Sequence, residues 1–444
     1  MPTPARERLA MLFDAGTFAE LDTYCSAEGQ PCGVVCGHGK VNGKPVCAFA
    51  QEGGGLGKMQ AAKISKLYDL ALKTGVPVVG VYDSLGANIA EGVAALEAYG
   101  EILLRVSNLS GVVPQIALVL GGCTGVSAML ACSADFVVMD SSATFFMSPP
   151  VLCEDATEGA GTAENAAKAG VAHIVAQSGS QACEHVRTLL CCLPANNLSA
   201  CEPLDFADPE SALAPGNYEN AEPASLAASI MDSGSLIELM GDFGAGAYTA
   251  FGRLGGFATG VVAAKGKLDA DSCAKIAKMV SVCDAFQIPV ITLVNSDGFA
   301  PSAKAELCGS VREMAKLAHV YAEATTPKAA VIAGKAYGGA YVALACRGAS
   351  DYTVAWPDAV ISALEPQAAV AFLYSDEISA ERSRESILQD YLTGVASPLA
   401  GARAGYLDDV ISPEHTRTAL LRAMELLSAK RVHKNPKKHS NLPM

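Results

Sequence analysis

The chain repeats itself, and this limits its fold more than any other feature. Phe13-Asp14-Ala15-Gly16-Thr17-Phe18-Ala19-Glu20-Leu21 is echoed by Met231-Asp232-Ser233-Gly234-Ser235-Leu236-Ile237-Glu238-Leu239, an offset of 218. Lys63-Ile64-Ser65-Lys66, followed by Val76-Pro77-Val78-Val79, returns as Lys275-Ile276-Ala277-Lys278 followed by Ile288-Pro289-Val290-Ile291, an offset of 212. Val113-Pro114-Gln115-Ile116-Ala117-Leu118-Val119-Leu120-Gly121 returns as Thr326-Pro327-Lys328-Ala329-Ala330-Val331-Ile332-Ala333-Gly334, an offset of 213. Three segments in one order at nearly one spacing mean duplication. Whatever fold serves one half must also serve the other. The 444 residues leave room for two cores, since one domain takes about 100–200 residues.

Within each half, apolar β-branched runs such as 77–82, 116–120 and 136–139 alternate with amphipathic stretches such as 61–73. That order predicts βαβ units, an α/β fold with helices covering a sheet. Residues 30–190 and 245–415 are expected to share it. Pro194, Pro203, Pro209, Pro215 and Pro223 crowd the middle of the chain. They place a linker over residues 201–228, between halves at 1–200 and 229–444.

Composition excludes several classes. Half the residues are apolar and 18% are charged, which suits a packed protein and not a disordered scaffold. No apolar run reaches the roughly 18–20 residues of a membrane span, and residues 1–12 lack a signal-peptide core. A cytoplasmic location is expected. The fifteen cysteines are then read as reduced and mostly buried. None has zinc-ligand spacing, so no intrinsic metal is expected. The net charge of −14 argues against nucleic acid. The basic tail of Lys430, Arg431, His433, Lys434, Lys437 and Lys438 reads as a solvated terminus.

The sequence has no G-x-S-x-G elbow, no G-x-x-x-x-G-K-[ST] loop, no H-E-x-x-H and no G-x-G-x-x-G opening a helix. Each half instead places a glycine-rich turn between a buried strand and a helical pattern. These are Gly121-Gly122-Cys123-Thr124-Gly125-Val126-Ser127 and Gly334-Lys335-Ala336-Tyr337-Gly338-Gly339-Ala340-Tyr341. Such a turn can aim unpaired amides at an oxyanion, or it can simply permit tight packing.

Several stretches resemble the carboxyltransferase subunits of propionyl-CoA and acetyl-CoA carboxylases, and equally those of methylmalonyl-CoA and glutaconyl-CoA decarboxylases. They are Ala5-Arg6-Glu7-Arg8-Leu9, Gly54-Gly55-Leu56-Gly57, Asp83-Ser84 with Glu91-Gly92, Ala336-Tyr337-Gly338-Gly339-Ala340-Tyr341, and Lys438-His439-Ser440-Asn441-Leu442-Pro443. The resemblance implies tandem ClpP/crotonase-like domains of ββα spiral type, with acyl-CoA held by the first half and biotin by the second half of a facing subunit. It implies a homo-oligomer, a hexamer. It places one oxyanion hole on Gly125 and Val126, facing the thioester oxygen, and another on Gly339 and Ala340, facing the biotin oxygen. Gly54, Gly55, Leu56, Gly57 and Lys58 would flank coenzyme A, and Val342 would lie where the family measures acyl size.

The chain departs from that pattern at Val126, where the family has a second glycine, and at Leu85, Asn88 and Val342. A β-branched residue tolerates positive φ badly, so Val126 must have ordinary dihedrals or reshape the loop. Two other readings are a silent scaffold homologue, which Val126 would explain, and a crotonase-like hydratase or hydrolase, for which Glu154 and Asp155 are the nearest acids. Lys58-Met59 and Lys278-Met279 lack the preceding methionine of a biotin-attachment site. Biotin must therefore arrive on a carboxyl carrier protein, with a biotin carboxylase or a membrane decarboxylase subunit as the further partner.

Overall fold

The computed structural model describes residues 3–27, 30–155, 157–379 and 382–443. The chain divides after Cys201 into two compact units, with Met240–Phe243 belonging to the first. Each unit has one eight-stranded sheet.

In the first unit the strands are β1 (Ala19–Leu21), β2 (Val34–Val41), β3 (Lys44–Gln51), β4 (Val78–Ser84), β5 (Gln115–Thr124), β6 (Phe136–Asp140), β7 (Thr144–Phe146) and β8 (Ile174–Ala176). They lie in the order β1-β2-β3-β4-β5-β6-β8, with β7 beside the end of β5. In the second unit they are β9 (Ile237–Leu239), β10 (Ala247–Leu254), β11 (Phe257–Leu268), β12 (Val290–Phe299), β13 (Lys328–Tyr337), β14 (Tyr352–Ala355), β15 (Val360–Ser362) and β16 (Asp409–Val410). Their order is β9-β10-β11-β12-β13-β14-β16, with β15 beside β13. The two orders are the same, as the duplication requires.

The antiparallel pairs β2/β3 and β10/β11 are two-residue hairpins. Their turns are Asn42-Gly43 and Gly255-Gly256, all four residues at positive φ, the geometry that matches strand twist. The first repeated segment explains itself here. Asp14 accepts the Asn42 and Gly43 amides at 3.1 and 2.8 Å and pairs with Arg187 at 2.9 Å. Asp232 accepts the Gly255 and Gly256 amides at 3.0 and 2.7 Å and pairs with Arg417 at 2.7 Å. The Gly43 amide, followed by Arg187, holds the Asp14 carboxyl below its usual range.

From β3 and β11 onward the neighbours on the main path are parallel, joined by helices that pack on the sheets. Helix α1 (Pro4–Leu12) opens the first unit, succeeded by α2 (Lys58–Thr74), α3 (Val93–Leu109), α4 (Val126–Cys132) and α5 (Gly179–Cys192). The second unit carries α6 (Ala270–Ala285), α7 (Ser310–Glu323), α8 (Gly338–Leu344), α9 (Pro366–Leu373) and α10 (Arg384–Gly394), and α11 (Thr416–Leu427) closes it. Central strands buried on both faces need continuous apolar runs, and 116–119 and 329–332 supply them. Phe49, Ile64, Ile102 and Met139 sit in the first core, and Val261, Leu293, Val331 and Trp356 in the second. Full burial of each such side chain contributes about 1.5–3 kcal/mol.

The basic tail differs from its expected solvated state. Lys430 bonds the Thr326 carbonyl at 3.0 Å and Asp351 at 2.7 Å, while Lys434 and Lys437 reach Glu323 at 2.8 and 2.5 Å. Those acids lie in the second unit and turn the charge run into an anchored strap. No helix among the described residues is long and apolar enough to cross a membrane. None of the fifteen cysteines is bridged, and eight are buried.

Candidate active site

The two glycine turns occupy the same place in both sheets. Strands β4 and β5 pair in register up to Tyr82, and the register shifts before Ser84. Strands β12 and β13 shift in the same way between Val294 and Ser296. Beyond each shift the chain turns sharply at Gly86 and Gly298, at φ +91° and +95°. At these two points glycine is obligatory on two counts: the dihedral is strained for any side chain, and an added Cβ would lie 3.0 Å from the Thr124 carbonyl or 3.3 Å from that of Tyr337. Ser84 and Ser296 stitch the neighbouring loops together. Ser84 Oγ donates to the Gly54 carbonyl at 3.2 Å, and Ser296 Oγ donates to that of Gly266 at 2.8 Å.

In the first turn the positive φ belongs to Gly125, at +59°; its counterpart Gly338 is at +53°. Val126 therefore keeps ordinary dihedrals and does not reshape the backbone. Its side chain also has room. A Cβ on Gly339, the residue equivalent to Val126, would lie 2.6 Å from the Phe299 ring. The residue equivalent to Phe299 is Ala87, because Leu56 bridges Ala87 as Leu268 pairs with Phe299. Valine opposite alanine and glycine opposite phenylalanine fill similar space in opposite ways.

Gly125 donates its amide to the Phe146 carbonyl at 2.9 Å. Its role is thus to shape the turn. The two amides that open α4 belong to Val126 and Ser127, and those at the second and third positions of α8 belong to Gly339 and Ala340. First-turn amides have no carbonyl four residues earlier in their helix to accept them. Of the expected pair Gly125 and Val126, Gly125 thus has its amide taken by Phe146, and the next amides along the chain are those of Val126 and Ser127. The offset of 213 carries 339 and 340 onto 126 and 127. Ser127 is fully buried and its hydroxyl bonds Tyr99 at 2.6 Å. Ala340 stands in its place in the second unit and is likewise buried, whereas Gly339 is exposed.

Residues 53–57 run alongside residues 83–88. The Gly53 amide bonds Asp83 at 2.8 Å, the Leu56 amide bonds Gly86 at 2.8 Å, and the Leu85 amide bonds Gly54 at 3.2 Å. Gly54 and Lys58 are exposed at the mouth of this loop, while Leu56 and Gly57 are buried. The start of α2 is capped by a carboxylate from outside the helix: Glu91 accepts the Lys58 amide at 2.7 Å and the Asn88 side-chain amide at 2.9 Å. A Cβ on Gly57 would fall 1.8 Å from that carboxylate, so a larger residue at 57 would displace the Glu91 cap. Val342 is 58% exposed on α8. Glu154 and Asp155 are exposed on a turn after Pro150–Leu152. No group of histidines, cysteines or acids among the described residues could hold a metal ion.

Two like eight-stranded sheets, each with a matched strand–turn–helix corner, give the tandem crotonase-like fold of a two-domain carboxyltransferase. A carboxyl transferase domain matches residues 3–442. Methylmalonyl-CoA decarboxylase subunit alpha of Propionigenium modestum is 38% identical over 480 residues, covering 99% of this chain and 93% of its own. The propionyl-CoA carboxylase beta chain of Saccharopolyspora erythraea is 37% identical over 495 residues, covering 99% and 90%. Among solved structures, the transcarboxylase 12S hexamer with hydrolysed methylmalonyl-coenzyme A bound superposes with a TM-score of 0.91 at 31% identity, covering 99% of this chain and 92% of that one. The chain belongs to the carboxyl transferase family, the biotin-dependent acyl-CoA carboxyltransferases.

Proposed function

We propose that this chain moves a carboxyl group between carboxybiotin, borne on a separate biotin carboxyl carrier protein, and the α-carbon of a short acyl-CoA. The observation that supports this reading is the pair of matched turns. Loss of CO2 from carboxybiotin leaves negative charge on the ureido oxygen. Loss of the α-proton leaves it on the thioester oxygen. Both charges are met by fixed amides without an acidic or basic side chain, and each donor contributes about 3 kcal/mol.

In this reading Val126 and Ser127 face the thioester oxygen, and Gly339 and Ala340 face the biotin oxygen. The exposure of Gly339 suits a group delivered by another protein. Residues 54–58 border the coenzyme A moiety, and Val342 borders the acyl chain. The relatives named for propionyl-CoA and methylmalonyl-CoA favour a short, branched or straight acyl group. The site is shared between the first half of one subunit and the second half of a facing one, which requires a homo-oligomer. A biotin carboxylase or a membrane decarboxylase subunit completes the complex and sets the direction of transfer.

The test is transfer between methylmalonyl-CoA and free biotin. Proline at 339 removes one donor but would press on Phe299, so the variant belongs in a Phe299→Ala background that mirrors Ala87. Phe299→Ala alone should retain transfer, and adding Gly339→Pro should lower kcat by about a hundred-fold or more. Native protein that transfers no carboxyl group to or from propionyl-, acetyl-, methylmalonyl- or glutaconyl-CoA, with free biotin or a biotinylated carrier, would refute the assignment.

A further inference from the structure

We propose that Asp83 and Asn295 are positioning residues that aim the two turns; this rests on the carboxyl-transfer reading of those turns. Each side chain sits where its strand parts from the next. The break in β4/β5 register falls at Asp83, between Tyr82 and Ser84. The break in β12/β13 falls at Asn295, between Val294 and Ser296. Such breaks bend a strand and re-aim the residues beyond it. At each break the side chain accepts an amide of the partner strand. Asp83 Oδ1 accepts the Gly122 amide at 3.2 Å, and Asn295 Oδ1 accepts the Lys335 amide at 3.0 Å. Three residues further on lie Gly125 and Gly338, where each turn begins.

The fit is close in both units. A Cβ on Gly121 would lie 2.3 Å from Asp83 Oδ1, and a Cβ on Gly334 would lie 2.4 Å from Asn295 Oδ1. The glycines preceding the two turns are therefore there for this contact, since both have ordinary φ. The second atom of each side chain is held differently. Asp83 Oδ2 pairs with Arg8 at 2.8 Å, and Arg8 also donates to the Gln51 carbonyl at 3.2 Å. Asn295 Nδ2 donates to the Glu219 carbonyl at 2.6 Å. One unit uses a carboxylate, the other an amide, and both keep an oxygen on the partner strand. The shared element is thus the acceptor and not the charge. In the first unit the same residue also takes the Gly53 amide on its backbone carbonyl, so it ties the turn to the 53–57 loop.

The experiment compares native protein, Asp83→Ala, Asp83→Asn and Asn295→Ala in carboxyl transfer between methylmalonyl-CoA and free biotin, together with amide hydrogen exchange in residues 121–127 and 334–340. Asp83→Ala should lower kcat about tenfold or more with the KM for acyl-CoA within about threefold, because the turn is misaimed while its binding loop remains. Asp83→Asn, which keeps the acceptor as the other unit does, should recover most of that loss. Exchange should quicken at 121–127 in Asp83→Ala only, and at 334–340 in Asn295→Ala only. An Asp83→Ala enzyme with native kcat, or an Asn variant no better than Ala, overturns the positioning role while native transfer leaves the proposed function standing. If the native protein transfers no carboxyl group, the proposed function fails, and unchanged exchange at 121–127 in Asp83→Ala overturns the positioning role separately.

Discussion

Val126 stands where the family pattern has glycine, and the reason is legible only from its neighbour. With Gly125 supplying the positive φ, the helix can begin on any residue, and the size of that residue is set by the side chain opposite. In the first unit Ala87 leaves space; in the second Phe299 removes it. Ala87→Phe should consequently overpack the first corner and cost about 1–3 kcal/mol of stability. Ala87→Phe with Val126→Gly rebuilds the second unit's arrangement and should regain most of that loss. A double-mutant cycle by urea denaturation measures it, and additive losses would mean that the two side chains do not share this space. The scaffold reading drew its support from Val126, and the ordinary dihedrals of that residue remove the backbone strain it invoked.

Among the elements, the hairpins show how a short motif becomes an anchor. Asp14 and Asp232 each hold two turn amides and an arginine from the last helix of their unit, α5 or α11. The motif repeats at 218 and not 213 because the segment joining it to the hairpin is longer in the first half, residues 22–33 against 240–246. The C-terminal strap is a second anchor. Lys434, followed by Lys437, holds the Glu323 carboxyl at about 2, against an ordinary value of 4.5. A carboxyl depressed in the folded state favours folding above its ordinary value, and that contribution fades as pH falls from about 4.5 towards 2. Each partly exposed pair contributes only about 0.2–1 kcal/mol. Glu323→Gln should therefore leave global unfolding nearly unchanged while trypsin cuts faster after Lys430 and Lys434 at neutral pH. Unchanged cleavage would mean that the contacts of Lys430 to Thr326 and Asp351 hold the strap without the Glu323 carboxylate.

At the scale of the molecule, duplication leaves each unit with its own turn, and the proposed chemistry needs two different ones. The departures between halves are what separate them: Ser127 against Ala340, Val126 against Gly339, Asp83 against Asn295. Large apolar side chains remain exposed on each unit, Leu85 and Ile89 on the first, Phe372 and Leu373 on the second. A site shared between subunits, as proposed, needs at least a dimer. Light scattering at micromolar concentration should return a multiple of the chain mass, six for the hexamer. A single chain mass would rule out a site shared between subunits.

The sequence by itself determined whatever local pattern can carry. Repeated segments implied two like halves, apolar runs of the right length implied buried parallel strands, and glycines after those runs implied turns. Asn42-Gly43 and Gly255-Gly256 also spell out their hairpins. Only the tertiary structure decided which groups meet. Sheet register brings Phe146 to the amide of Gly125, so that this amide is spent within the fold. It sets Ala87 rather than Phe299 at the first corner, and places Asp83 under Gly122, 39 residues away. It also carries the basic tail back to Glu323, so that a charge run that reads as solvated is paired. Periodicity and propensity act over a few residues, whereas an amide's acceptor and a side chain's free volume depend on segments distant in the chain, and these are fixed only when the strands pair.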